Sequence, residues 1–305
     1  MLAQILWTSI ASSAFQVLLT LAFALVLRVT GIWNFAQPAL MGLAFYTGYL
    51  LQHRLGWPVL PSFAVAAAVT VAAAVLLENQ AFARLRNRGA QPLLFFIFTL
   101  VFAQFSVFLM NFIFTSEPVY MSPQVSTDFL LFEPLIVTVW DVTSIAVTIL
   151  AALALMGFLA TRIGQHLIAV SDNAQLAEVF GVRKDVVYMV TLGIAGLLIA
   201  VATFVYAGKL AYYPDLGPQL IIFSVAATIL AGFGKVFGAG IAVLVISAMQ
   251  QASVFFISSH WQPLIVYGVL FIAIVCFPKG IRWPQPRLMR SAGSIAASAP
   301  KEEEA

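Results

Sequence analysis

The chain has 305 residues, of which 62% are hydrophobic and 9% charged, whereas soluble domains carry roughly a quarter charged residues. A polar shell cannot be built from 15 bases and 12 acids, so lipid must face much of the apolar surface, and a net charge of +3 is too small to point to nucleic acid. A single cysteine, Cys276, excludes an internal disulfide framework, and His53, His166 and His260 stand too far apart to suggest a metal site.

A helix needs about 20 apolar residues to cross the hydrocarbon core. In chain order, the apolar runs fall at 5–27, 36–52, 59–77, 93–114, 141–160, 188–207, 219–234, 237–257 and 263–277. They predict an all-α polytopic membrane protein with eight or nine transmembrane helices, the shortest runs being candidates for re-entrant segments. No base precedes the first run, and it exceeds the apolar stretch of a cleaved signal, so it reads as a membrane helix.

Basic loops stay cytoplasmic. Arg84, Arg86 and Arg88 follow the third run, Arg162, Arg183 and Lys184 the fifth, and Lys279, Arg282, Arg287 and Arg290 the last. The segment from Thr115 to Trp140 holds Glu117, Asp128 and Glu133 but no base. Nine crossings put the three basic segments on one side and the acidic one opposite, with the N-terminus outside and the C-terminus cytoplasmic. The expected organisation is a membrane domain over 1–281, a cytoplasmic loop at 161–187 within it, and a tail at 282–305 too polar and simple to pack.

Three local features stand out. Between the first two runs, Thr30-Gly31-Ile32-Trp33-Asn34-Phe35-Ala36-Gln37-Pro38 places a glycine, a proline and two amides near membrane depth. An interhelical turn explains this, as does a broken helix lining a solute path, since irregular backbone is tolerated there only where protein or a watery cavity covers it. On the second reading Asn34, Phe35, Gln37 and Pro38 line the path. Within 161–187, Asn173 or Asp172 can cap a short helix that Gly181 ends, and Leu176, Val179 and Phe180 form an apolar stripe on it. A soluble partner or the lipid headgroups could cover that stripe. Finally, Gly232, Gly234 and Gly238 fit close helix packing, Gly234 and Gly238 as a GxxxG pair.

Chemistry is missing from the pattern. Gly234-Lys235 is followed by Val236 and lacks the earlier glycine of a phosphate-binding loop. No segment between the runs could hold a nucleotide-binding domain. Acidic residues reach only the ends of the runs, at Glu78 and Asp141, where an ion-coupled carrier needs them inside the membrane.

Taken together, these segments resemble the permease subunits of bacterial ABC importers for branched-chain amino acids, with the related urea and amide permeases. The resemblance rests on Thr30-Gly31 through Ala36, on Gly164 to Gly181 with Ala169-Val170, Ala174, Ala177 and Gly181-Val182, on Ala231 to Gly234 with Gly238-Ala239, and on Phe277-Pro278-Lys279-Gly280-Ile281. It departs from the family at Gln37-Pro38, where His-Gly is usual, and at Ile168, where a base is common. The resemblance implies a non-enzymatic transport subunit without cofactors, importing a small polar solute such as an amino acid, urea or short amide. It also implies a second permease, two cytoplasmic ATPase subunits and an extracytoplasmic binding protein as partners. In that family 161–187 is the loop that couples to the ATPase, with Asn173, Leu176, Val179, Phe180 and Gly181 as its contact residues here. A stand-alone channel or facilitator is the alternative.

Overall fold

Helix α1 (Leu2–Thr30) runs through the middle of the computed structural model, its apolar length largely buried against α6, α9, α10 and α11. The structure describes residues 2–121, 129–132, 135–232, 234–253 and 262–276. The tail at 282–305 and the Phe277–Ile281 motif lie outside these residues.

After α1 come α2 (Gln37–Leu55), α3 (Val59–Leu77), α4 (Ala83–Asn87), α5 (Pro92–Phe114) and α6 (Val139–Ala160). Then follow α7 (Arg162–Asp172), α8 (Ala174–Val179), α9 (Lys184–Ala207), α10 (Leu216–Ala231), α11 (Val236–Ser253) and α12 (Gln262–Cys276). Among the described residues, every apolar run read from the sequence overlaps a helix. Among the described residues, six helices are long and apolar enough to cross a membrane: Leu6–Thr30, Val59–Asn87, Pro92–Phe114, Val139–Ala160, Lys184–Ala207 and Val236–Ser253. Helix α10, with 16 residues, is apolar but shorter, and α2 carries Gln52, His53 and Arg54 in its last turns.

One element departs from an all-α chain. Strands β1 (Phe129–Phe132) and β2 (Leu135–Thr138) pair antiparallel, Phe129 opposite Thr138 and Phe132 opposite Leu135, inside the acidic segment. The pair leads into α6, where the Thr138 N–H donates to Asp141 Oδ2 at 3.2 Å. Lys209, just past α9, pairs with the other oxygen of Asp141 and so ties the two helix ends together.

Helix α3 continues into α4 through a π turn, Glu78–Phe82. Such turns insert one residue and recur at functional positions. Here the turn buries Glu78, whose Oε1 takes a 2.9 Å bond from Arg86 Nη1. The Arg86 guanidinium in turn lies 4.0 Å over the Tyr188 ring, fastening α4 to the start of α9.

The glycines between α10 and α11 differ in their surroundings. Gly234 sits in a turn at φ +85° with open space around it, and Gly232 lies at φ +93°. A Cβ on Gly238 would stand 3.2 Å from Lys235 Cβ and 3.6 Å from Cβ of Ala231, the last residue of α10. Gly232 and Gly234 shape the α10–α11 connection, which needs left-handed backbone that only glycine adopts freely. Close helix approach occurs at Gly196, where a Cβ would stand 2.9 Å from Ala74 Cβ and 3.2 Å from Thr70 O of α3.

Candidate functional site

Two helices begin inside the bundle at the same place. Gln37, Pro38 and Met41 of α2 line a cavity of about 10 Å³ with Leu19 of α1 and Gly217, Leu220, Ile221 and Ser224 of α10. Helix α1 extends past Leu19 to Thr30, roughly 16 Å further at the helical rise. The chain therefore leaves α1, doubles back along it and starts α2 partway along its length. On this return Trp33 and Phe35 stand edge-on to Phe23 at 6.1 and 6.2 Å. A Cβ on Gly217 would lie 2.8 Å from Pro38 Cβ and 3.0 Å from its Cα, so only glycine lets the α10 start come this close.

The returning segment satisfies itself. Gly31 takes φ +70°. Thr30 Oγ1 donates to Val26 O at 2.8 Å and accepts from Ile32 N at 3.2 Å. Asn34 Oδ1 accepts from Ala36 N at 3.0 Å, a local loop characteristic of asparagine, and Thr99 Oγ1 of α5 donates to Trp33 O at 3.2 Å. Asn34 is thus 2% exposed with its carbonyl engaged. Gln37 differs: it is 3% exposed, and its Nε2 has no partner. Phe35 packs edge-on to Phe96 at 5.2 Å.

Ser224, which lines that cavity with Gln37, belongs to a polar row that the sequence reading passed over. Gln16 Nε2 donates to Leu220 O at 2.8 Å and to Ser224 Oγ at 3.1 Å, and Thr20 Oγ1 donates to Ser224 Oγ at 3.1 Å. All three residues are buried. A spacing of four in α1 puts Gln16 and Thr20 on one face. That spacing inside an apolar run was the available signal, because amides and hydroxyls in membrane helices bond across helices. The arrangement offers neutral hydrogen-bonding groups and two helix N-termini to a polar solute, and no titratable side chain. Among the described residues no cluster of metal-ligating side chains occurs.

At the other candidate site, Asn173 caps α8, its Oδ1 accepting from Leu176 N at 3.0 Å. Gly181, at φ +82°, closes it: Gly181 N donates to Glu178 O at 2.9 Å and Val182 N to Ala177 O at 3.0 Å, the paired bonds of a glycine C-cap. Helix α8 buries Ala177 and turns outward Leu176, Val179 and Phe180, which are 53, 81 and 79% exposed. Below it lies α7, which the sequence reading left as loop. Its Leu167 and Val170 are buried, and it packs on α1 and α9. A Cβ on Gly164 would strike Phe158 O at 2.2 Å, so α7 turns tightly beneath α6.

The comparisons agree with one another. A family model described as branched-chain amino acid transport system, permease component, matches residues 5–275. The high-affinity branched-chain amino acid permease protein LivH of Escherichia coli is 24% identical over 286 residues, covering 87% of this chain and 90% of that one. The xylose permease protein XylH of Haemophilus influenzae is 27% identical over 139 residues, covering 42% and 37%. The autoinducer 2 permease protein LsrC of Photorhabdus luminescens is 26% identical over 129 residues, covering 40% and 39%. Against these last two, the match spans less than half of the relative. Among solved structures, PsaBC of Streptococcus pneumoniae in complex with Fab shares the fold at a TM-score of 0.51 and 12% identity, covering 90% of this chain and 92% of that one.

Proposed function

The chain belongs to the family of branched-chain amino acid transport system permease components, and on that premise we propose that it is the membrane-spanning subunit of an ATP-driven importer for a small polar solute. It is a multi-pass protein of the bacterial inner membrane and a transport subunit rather than an enzyme. Its relatives are named for branched-chain amino acids, xylose and autoinducer 2, so small and polar is the class they share.

The observation that carries the reading is α8. A capped helix that exposes leucine, valine and phenylalanine together, on a chain without a nucleotide site, is the place where work done elsewhere can enter. We assign its stripe to a groove on an ATPase subunit, in the manner of a helix seated in an apolar cleft. Two such subunits, a second permease and an extracytoplasmic binding protein complete the assembly. Motion at α8 passes to α7, packed beside it, and from there to α1 and α9. Helix α1 carries Gln16 and Thr20, so the same rod that receives the push lines the solute path with Gln37, Pro38 and Ser224. Asn34 and Phe35 hold the return segment that lets α2 start there. This is the broken-helix logic of transporter sites near the bilayer midplane.

The reading requires nine crossings with the N-terminus outside. Reporter fusions at Arg86, Asn173 and Arg287 should give cytoplasmic signals and one at Gln124 a periplasmic signal. A periplasmic signal at Asn173 would remove both the topology and the contact with an ATPase.

A further inference from the structure

Helix α2 forms the floor of a groove of about 330 Å³, with α3 along one side and α5 along the other. Its walls are apolar: Leu43 and Leu50 of α2, Ala73 and Leu77 of α3, and Phe102 and Ile113 of α5. Leu50, Leu109 and Ile113 at its rim are exposed, so the groove opens away from the bundle. Among the described residues, none of α1 or α10 lines it, which separates it from the cavity at Gln37. Both α3 and α5 are apolar and long enough to cross a membrane, so the groove faces hydrocarbon.

Its shape selects the occupant. From Phe102 to Ile113 the groove runs about 16 Å at the helical rise, which gives its volume a mean section of about 20 Å². A helix with its side chains is about 10 Å across and needs roughly four times that section. A single unbranched hydrocarbon chain fits.

Charge at one mouth says what that chain is attached to. Arg54 follows Thr47 by seven residues and Leu50 by four, which puts it on the groove face of α2, one turn past the last lining residue. Side chains leave a helix leaning toward its N-terminus, so the Arg54 stem sets out toward the groove. An arginine near a helix end carries its charge to the headgroup layer. Arg54 is exposed, and none of the ion pairs among the described residues involves it. Three residues on, Trp57 is exposed at the turn into α3, as a tryptophan at a membrane interface is. Arg84, Arg86 and Arg88 lie a full span away, at the other end of the helix that α3 and α4 share.

We infer that the groove binds one acyl chain of a membrane phospholipid whose phosphate pairs with Arg54. The lipid covers the face of α2 that α3 and α5 leave open. With the topology proposed above, it belongs to the outer leaflet.

Native mass spectrometry tests this on the full chain, purified with its accompanying subunits and stripped of lipid in detergent. The probes are dioleoylphosphatidylglycerol, dioleoylglycerol (the same chains without phosphate) and glycerol phosphate (the phosphate without chains). The phospholipid is expected to bind first, at one per copy of this chain. Dioleoylglycerol should bind about tenfold more weakly, by the loss of a charged hydrogen bond, and glycerol phosphate not measurably. Arg54→Gln should bring the phospholipid down to the level of dioleoylglycerol and leave dioleoylglycerol unchanged. Ser106→Phe fills the groove, and because Ser106 Oγ donates to Phe102 O of its own helix at 2.7 Å, no bond between helices is lost. That variant should bind neither lipid. Equal binding of the phospholipid and dioleoylglycerol, or unchanged phospholipid binding in either variant, would overturn the lipid site. So would a wild type that takes up no lipid while Ser106→Phe separates two permease chains, which would make the groove a protein interface. None of these outcomes depends on solute or on ATP hydrolysis, so the importer reading stands or falls separately.

Discussion

Placing an aspartate at Leu176 or Phe180 is expected to abolish uptake and leave the permease folded and in the membrane. Both side chains already point away from the protein, at 53 and 79% exposure, so neither substitution empties a core or buries a charge within this chain. The cap at Asn173 and the close at Gly181 remain, so α8 itself persists. What changes is the surface offered to a partner. Burying a large apolar side chain stabilises an interface by about 1.5–3 kcal/mol, and an unpaired charge in its place adds a desolvation cost of similar or greater size. The sum weakens docking by at least about a hundredfold. ATP hydrolysis should then no longer respond to the loaded binding protein, although that protein still captures solute. A helix that merely rests on headgroups gives another pattern: the ATPase co-purifies with both variants and responds normally, which would exclude α8 as the contact.

The second large effect is expected at the start of α2. Gln37→Leu replaces a buried amide whose Nε2 has no partner, so it removes no bond within the protein and should leave the melting temperature unchanged or raised. If Gln37 meets the solute during passage, maximal uptake should fall about tenfold or more, by the worth of a hydrogen bond realised only then. Asn34→Leu should behave differently. It breaks the bond from Ala36 N that holds the return segment, and should cost about 1–2 kcal/mol of stability together with uptake. Equal loss of stability in both variants, or unchanged uptake in both, would make 31–38 an ordinary structural turn.

Much of this architecture is local, and local features were legible. The nine apolar runs coincide with helices because each buries its own backbone bonds, whatever its neighbours. The Asn173 cap and the Gly181 stop form within a few residues, so sequence spacing was enough to read them. The interruption at 31–38 was visible from Gly31 and Pro38 alone. Its meaning was not, because α2 starts against α10, nearly two hundred residues later, and only folding brings Pro38 onto Gly217. Gln16, Thr20 and Ser224 were overlooked for a related reason. The spacing of Gln16 and Thr20 marks one face of α1, but Ser224, the partner of that face, lies about two hundred residues away in sequence. Helix α7 went unread because its apolar residues, Ile163, Leu167, Ile168 and Val170, are diluted by Arg162, Gln165 and His166. Glycines four residues apart, as at Gly234 and Gly238, occur both at helix crossings and beside turns that need positive φ, so spacing alone does not separate the two.

On the importer reading proposed above, this chain moves solute only when a partner spends ATP. The direct measurement is accumulation in proteoliposomes holding the chain with its co-purifying subunits, with the binding protein and labelled solute outside and ATP inside. Internal solute should rise well above the external concentration with ATP and stay at background without it. Equilibration to the external concentration without ATP, by the chain alone, would rule out an ATP-driven importer and identify a facilitator.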